Sequence, residues 1–325
     1  MKRGLAALLL TLCLAGTAAA QQAGRVYRVA LLAPGEASVG YTRQYTLPVL
    51  ERAGFVEGRN LQLDVRVPGG SPERLAAASA ELAALQPDAV IAVANGAVAA
   101  VRRAMPSTPV LMAFADDPVA QGFVQSLARP GGWATGVALQ STEANRKRLE
   151  LAREMLPLAK ASSARVGIVL PRTYTELQRA DLRKAATELD VEVVFVEATA
   201  PSDYAAAFAA LRAAGVGVAT AVSNSVYAAN ASGLAREARA ARIALVCEWR
   251  EMAQAGCAAA FGATQQELRS RVGEQLVRVL RGEPPGQVPV EQPARFELVL
   301  NRSAARAIGY DLPRAVLLRA DEVIE

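Results

Sequence analysis

Short β-branched runs alternate with longer Ala- and Leu-rich amphipathic segments over nearly the whole chain, and this alternation constrains the fold more than any other feature. Residues 26–32 have the pattern of a buried strand, and residues 42–53 have that of a helix. Ser71 followed by Pro72 predicts a helix start, because serine caps helices and proline suits the first helical position. Repeated strand–helix units of this kind predict an α/β protein whose parallel sheets are flanked by helices.

The pattern occurs in two sets. The second set follows a helix predicted over residues 145–156 and runs to residue 281. Gly/Pro clusters at residues 130–132 and 282–286 bracket this set, and a further strand is predicted over residues 296–301. The layout predicts two lobes joined by a hinge, with residues 21–137 plus 295–325 in lobe one and residues 138–294 in lobe two.

Residues 1–20 have the three parts of a secretory signal peptide. Lys2 and Arg3 precede an apolar run over residues 5–14, and three alanines at residues 18–20 supply a cleavage site. A membrane anchor is the alternative, but ten residues are too few to span about 30 Å of hydrocarbon. We therefore expect export to the periplasm and a mature chain that starts at Gln21.

The composition excludes much of enzyme chemistry. The chain has no histidine, which removes Ser-His-Asp, Cys-His and HExxH sites. No cluster has metal-ligand spacing, no phosphate-binding motif follows a strand, and the adjacent carboxylates Asp116 and Asp117 do not make a facing pair. Without residues 1–20 the formal charge falls from +5 to +3, an excess too small to suggest nucleic acid. We expect no catalytic residue, no metal and no cofactor.

Two cysteines remain after residue 20, Cys247 and Cys257. In an oxidising compartment they could form a disulfide. The alternative, two small buried hydrophobic residues, is favoured, because the end of one strand and the start of its parallel neighbour lie at opposite edges of the sheet. The sequence leaves both alternatives open.

Candidate ligand-binding residues follow the predicted strands, since ligands of parallel sheets collect outside the carboxyl ends of the strands. In lobe one these residues are Ser38, Asn95, Gly96, Asp116 and Asp117. In lobe two they are Tyr174, Ser223, Asn224, Tyr227 and Trp249. Any single one could be only a helix cap or turn residue. Aromatic residues make up only 5% of the chain, so three of them at predicted strand ends favour a ligand-facing role.

Several motifs resemble one family. These are FADDPVAQGFVQSLARPGGWATG at residues 114–136, PVEQPARFELVLNRSAARAIGYDLPRAVLLRADEVIE at residues 289–325, GFVEGRNLQLDVR at residues 54–66 and KRLELAREMLP at residues 147–157. They are similar to the ABC-transporter substrate-binding family that includes bacterial tryptophan- and tyrosine-binding members. Members commonly have Asn-Val before the Thr-Gly that matches Thr135 and Gly136, whereas Trp133 and Ala134 stand here.

The resemblance implies a type I periplasmic binding protein, in which two Rossmann-like lobes close over a small organic ligand. It implies delivery to an inner-membrane ABC permease and its ATPase, a monomer, and an aromatic amino acid as the default ligand. Helix N-termini would suit the ligand carboxylate, Asp116 or Asp117 its ammonium, and a tyrosine or tryptophan its side chain. The alternatives are a periplasmic sensing module for a receptor kinase and a hydrolase that works without histidine.

Overall fold

The computed structural model describes residues 24–69, 71–156 and 164–325. Two α/β lobes, each with a mainly parallel sheet flanked by helices, confirm the predicted fold class. The predicted signal peptide over residues 1–20, and the start of the mature chain, lie outside the described residues.

Lobe one contains a five-stranded parallel sheet in the order β2-β1-β3-β4-β5. Its strands are β1 Tyr27–Leu32, β2 Leu61–Arg66, β3 Ala89–Val93, β4 Val110–Asp116 and β5 Ala134–Leu139. Its first helices are α1 Glu36–Tyr41, which continues through a π-helical turn at Thr42–Thr46 into α2 Leu47–Arg52, then α3 Pro72–Ala84 and α4 Ala94–Ala104. The predicted cap is present, because the Ser71 side chain accepts a hydrogen bond from the Arg74 N–H.

Lobe two contains a seven-stranded sheet in the order β12-β11-β10-β9-β8-β6-β7, in which only β11 runs antiparallel to its neighbour β10. Its strands are β6 Arg165–Leu170, β7 Glu192–Glu197, β8 Val218–Ala221, β9 Ala244–Cys247, β10 Ala259–Gly262, β11 Glu297–Asn301 and β12 Glu322–Ile324. The helices between them are α5 Ser141–Met155, α6 Glu176–Glu188, α7 Tyr204–Ala213, α8 Ser225–Ala229, α9 Ala231–Ala240 and α10 Arg250–Gln254. The later helices are α11 Gln265–Leu280, which packs on lobe one, and α12 Arg302–Ala307 and α13 Arg314–Leu317 in lobe two. Single 3-10 turns lie at Pro201–Asp203 and Pro285–Gln287.

The structure corrects the predicted lobe boundaries. Strand β11 pairs with β10, so residues 297–325 belong to lobe two and not to lobe one. Helix α11 packs instead against β4 and β5 of lobe one, where the Gln275 side chain donates to the Gly136 carbonyl. The prediction was wrong because the Gly/Pro cluster at residues 282–286 is a turn inside lobe one, and periodicity does not tell a strand which sheet to join.

Within the described residues the chain therefore crosses between the lobes three times. The crossings follow β5, follow β10, and precede β11. Segments of this kind can serve as a hinge, because a few residues at the ends of the elements can absorb a rotation of one lobe against the other.

Cys247 and Cys257 form a disulfide, with Cα atoms 6.2 Å apart and a sequence separation of ten residues. Of the two alternatives for these cysteines, a disulfide or two unbonded buried residues, the structure has the disulfide. Closing so short a loop stabilises a fold by about 2 to 3 kcal/mol in the loop-entropy description. Across residues 24–69, 71–156 and 164–325, none of the helices has both the length and the apolar content needed to cross a membrane.

Candidate functional site

A cavity of about 510 Å³ lies between the two lobes, at the carboxyl ends of their strands. We call it the interlobe cavity. Eight of the ten predicted ligand-binding residues line it: Ser38, Asn95, Gly96, Asp116, Tyr174, Ser223, Asn224 and Trp249. The strand-end rule thus brings residues from both lobes to one place.

Asp116 provides a carboxylate on the lobe-one side. The Asn95 side chain donates to the Asp116 carbonyl and accepts from the Asp116 N–H, both at 2.8 Å. Asn95 therefore fixes the backbone of Asp116. Burial raises the pKa of the Asp116 carboxyl, although a hydrogen bond from Ser141 acts in the opposite direction. A half-buried carboxylate of this kind is stabilised by a cationic group from a ligand.

Lobe two presents a second carboxylate, that of Glu248, which belongs to a chain of hydrogen-bonded side chains. Arg148 donates to the Ser223 hydroxyl at 2.6 Å, and that hydroxyl donates to Glu248 at 3.0 Å. Burial raises the pKa of Glu248, despite the field of Arg148 and the Ser223 hydrogen bond, which lower it. Asn145 joins the network by donating to the Tyr174 hydroxyl at 3.2 Å. Hydrogen bonds to Arg148 and Asn145 thus fix the polar side chains of the lobe-two wall.

Two aromatic rings from opposite lobes meet at the cavity. Trp249 of lobe two lies 5.5 Å from Phe114 of lobe one, measured between ring centroids. Phe114 lies within β4 and not after its end, so the strand-end rule does not select it. Its φ of +64° is unusual for a bulky side chain, and such strain is common at binding sites. The two rings offer an apolar surface for a flat ligand group.

Arg269 of α11 also lines the cavity, although the strand-end rule does not select it. Its guanidinium donates to Ser38 and to Thr42, both at 2.8 Å, and to Gln265 at 3.0 Å. The π-helical turn contacts Arg269 a second time, because the Thr46 hydroxyl donates to the Arg269 carbonyl at 3.0 Å. A signal was present, since Arg269 stands three and seven residues before the buried Val272 and Leu276, and therefore on the buried helical face.

Two predicted residues lie elsewhere. Asp117 is exposed and does not line the cavity; its side chain accepts from the Ala120 N–H at 3.2 Å, as a turn residue does. Tyr227 is buried in the lobe-two core, where its hydroxyl donates to the Ala198 carbonyl at 2.7 Å. Asn224 lines the cavity but also caps α8 with its side-chain oxygen. The described parts of the chain contain no cluster of metal-ligating side chains.

The lobes approach closely at the cavity rim. A Cβ atom added at Gly35 of lobe one would lie 3.2 Å from the Cβ atom of Ala229 in lobe two. Gly35 is in an extended conformation that any residue could adopt. A side chain here is therefore disfavoured by the approach of the other lobe and not by the backbone angles.

The raised pKa of Glu248 predicts a pH effect on stability. A carboxyl with a raised pKa binds its proton more tightly in the folded protein, so its contribution is complete below the unfolded pKa of about 4 and is lost as the pH rises through the folded pKa. In calorimetry on ligand-free protein between pH 4 and pH 9, we expect the stability advantage of the wild type over Glu248→Gln to shrink with rising pH. Glu283, whose pKa is lowered by Arg278, provides the control, since the advantage of the wild type over Glu283→Gln should stay constant above about pH 5 and fall only at lower pH. Parallel curves for wild type and Glu248→Gln would contradict this prediction.

A family model and a curated relative match most of the chain. The sequence profile described as ABC transporter substrate binding protein matches residues 38–324. A tyrosine-binding protein of Clostridioides difficile strain R20291 is 22% identical over 265 residues, which cover 81% of this chain and 74% of that protein.

Solved structures share the fold over nearly the whole chain. A conserved domain protein from Vibrio cholerae is 24% identical, with a TM-score of 0.82 over 92% of this chain and 100% of that one. A Streptococcus ABC domain in complex with L-Trp is 20% identical, with a TM-score of 0.81 over 93% and 100%. The ligand-free, open structure of a Clostridium difficile substrate-binding protein is also 20% identical, with a TM-score of 0.65 over 92% and 99%. The chain therefore superposes better on the tryptophan-bound structure than on the open one.

Proposed function

The chain belongs to the family of ABC transporter substrate-binding proteins, and from this premise we propose that it captures a small organic molecule, by default an aromatic amino acid, in the interlobe cavity. One observation supports the proposal most strongly. The cavity combines carboxylates and aromatic rings from both lobes, with Asp116 and Phe114 on one side and Glu248 and Trp249 on the other. Only a ligand that touches both lobes can stabilise the closed arrangement.

The proposal extends to the place and the partners of the protein. The signal-peptide pattern of residues 1–20 supports export to the periplasm. There the protein would act as a monomer and deliver its ligand to an inner-membrane ABC permease with its ATPase. The tyrosine-binding relative and the tryptophan-bound structure support an aromatic amino acid as the ligand to test first.

A thermal-shift screen of refolded, ligand-stripped protein tests the proposal. The panel includes L-tryptophan, L-tyrosine, L-phenylalanine, aliphatic amino acids, purine and pyrimidine bases, sugars and dicarboxylic acids. A ligand present at 100 times its dissociation constant adds about 2.7 kcal/mol, which is a shift of several degrees for a chain of this length. A shift with the aromatic amino acids alone supports the default ligand, and a shift with sugars alone rejects it.

Asp116 and its neighbour allow a matched test of the amine site. We expect Asp116→Asn to weaken the binding of L-tryptophan or L-tyrosine by about 10- to 30-fold, because the half-buried carboxylate loses its charge-assisted contact with the ammonium. Asp117→Asn should leave the affinity within about twofold, since Asp117 is exposed and outside the cavity. Isothermal titration calorimetry measures the affinity of both variants and of the wild type. Equal losses in the two variants would place the amine elsewhere.

A further inference from the structure

The lobe-one wall of the interlobe cavity contains a buried cation with no acid beside it. Arg269 is 2% exposed and lines the cavity. Its three hydrogen-bond acceptors, on Ser38, Thr42 and Gln265, are all uncharged, and within the part of the chain that the structure describes no carboxylate pairs with it. Buried charges in proteins are normally paired, because an unpaired one bears the full cost of losing its water.

The nearby charged groups do not provide the missing partner. Glu251 of α10 and the Tyr41 hydroxyl favour the charged form of Arg269, but only through their fields. Burial outweighs them and lowers the pKa of Arg269 to about 9, so the group is still a cation at neutral pH. Glu251 is itself half-buried, with a pKa that burial raises. A cation of this kind is poised for an anion that arrives from the cavity.

The geometry leaves hydrogen-bonding capacity for such an anion. A guanidinium has five N–H donors, and Arg269 uses one on Nε, one on Nη1 and one on Nη2. One N–H on each Nη nitrogen remains, and a carboxylate can accept two parallel bonds from a guanidinium. The ring of Phe114 lies 4.7 Å from the guanidinium carbon and supports it through a cation–π contact.

Arg269 is also held in position before any ligand arrives. Its side chain is fixed by the π-helical turn through Thr42 and by its own helix through Gln265. The Thr46 hydroxyl ties the same turn to the Arg269 backbone. Little conformational freedom remains to be lost on binding, and preorganised donors of this kind give affinity at low entropic cost.

We propose that Arg269 is the carboxylate-binding subsite of the interlobe cavity, so that the ligand must carry a carboxylate that becomes the counter-ion of this arginine. The inference rests on the proposed function, because it takes the interlobe cavity as the ligand site. It also narrows the ligand class. Arg269 for an anion and Asp116 for a cation suit a zwitterion, and an uncharged sugar or a simple amine would leave Arg269 unpaired.

Matched ligand pairs test the proposal on the wild-type protein. The probes are L-tryptophan against tryptamine and L-tyrosine against tyramine, which differ only in the carboxylate, measured by titration calorimetry. We expect each amine to bind at least 30-fold more weakly than its amino acid. Equal affinities within a pair would overturn the carboxylate subsite and leave the capture of aromatic ligands intact.

A double-mutant-type cycle, in which both ligands are measured on the wild type and on Arg269→Gln, tests whether Arg269 contacts the carboxylate. In this variant L-tryptophan should lose at least 30-fold in affinity, whereas tryptamine should change by no more than about threefold. Arg278→Gln is the control, because it removes a cation of the same helix that pairs with Glu283 at the surface; it should keep the wild-type discrimination. If Arg269→Gln does not fold, Arg269→Lys keeps the charge without the fork and should reduce the discrimination only in part.

A second arm separates failure of this inference from failure of the proposed ligand. Sodium acetate and ethylammonium chloride, each at 50 mM and equal ionic strength, are compared by thermal shift. We expect acetate to raise the melting temperature of the wild type by about 2 °C and that of Arg269→Gln not at all. If no aromatic compound binds but acetate gives this result, the default ligand is wrong and the subsite stands. If neither binds, both proposals fail.

Discussion

Replacing Gly136 by alanine is expected to lower the free energy of unfolding by about 3 to 5 kcal/mol, a large part of the stability of a typical domain. The φ of Gly136 is +132°, in a region that side chains rarely adopt. An added Cβ atom would lie 2.1 Å from the Met112 carbonyl oxygen on the neighbouring strand β4. The backbone cannot move away easily, because the Gly136 carbonyl accepts from the Glu291 N–H at 2.9 Å and from the Gln275 side chain.

Gly233→Ala gives the matched control for this substitution. Gly233 lies in α9 with no atom within 4 Å of the added methyl group and with no positive φ. Alanine is favoured over glycine in a helix by about 1 kcal/mol, so this variant should be slightly stabilised. Guanidinium denaturation of the wild type and both variants, all free of ligand, measures the free energies of unfolding that are compared. A loss below about 1 kcal/mol for Gly136→Ala would show that β4 and β5 can separate without penalty.

Replacing Trp249 by alanine is expected to weaken the binding of an aromatic amino acid by about 100-fold, or about 2.7 kcal/mol. The ring is 5% exposed, lines the interlobe cavity and contacts Phe114 across it. Its removal takes away an aromatic side chain of the lobe-two wall and the aromatic contact that joins the two lobes. Titration calorimetry with L-tryptophan and L-tyrosine measures the loss.

The second tryptophan of the chain is the control. Trp133 packs on Phe123 and beneath the Arg102 guanidinium in lobe one, away from the cavity. Trp133→Ala should keep the wild-type affinity within about twofold. Because the chain has two tryptophans, this variant also leaves Trp249 as the sole indole fluorophore. A fluorescence change on adding L-tyrosine should then persist in Trp133→Ala and vanish in Trp249→Ala; the reverse pattern would contradict the assignment.

Local structure could be predicted from the sequence because local interactions determine it. The strand predicted over residues 26–32 is β1 Tyr27–Leu32, and the Ser71-Pro72 pattern marks the start of α3 Pro72–Ala84. The lobe that each segment joins is a different matter. Strand β11 lies beside β10 because of contacts between residues far apart in the chain, and the alternation of hydrophobic residues is the same in either sheet.

The site was predictable where the topology determines it. The rule that ligands lie beyond the carboxyl ends of parallel strands selected Ser38, Asp116 and Trp249. It could not select Arg269, which enters the cavity from a helix. It also selected Tyr227, whose position after β8 is correct but whose side chain turns into the core. Side-chain direction after a strand depends on packing that the sequence pattern does not express.

Because the chain crosses between the lobes three times, the segments of each lobe are synthesised at different times during translation. Helix α11, which completes lobe one, is synthesised only after β6 to β10 of lobe two, and β11 and β12 complete lobe two later still. Neither lobe is a continuous stretch of the gene. A chain interrupted after β10 would have a lobe-one sheet without the helix that covers β4 and β5, and would lack Arg269. Assembly of the interlobe cavity is therefore deferred until nearly the whole chain has been translated.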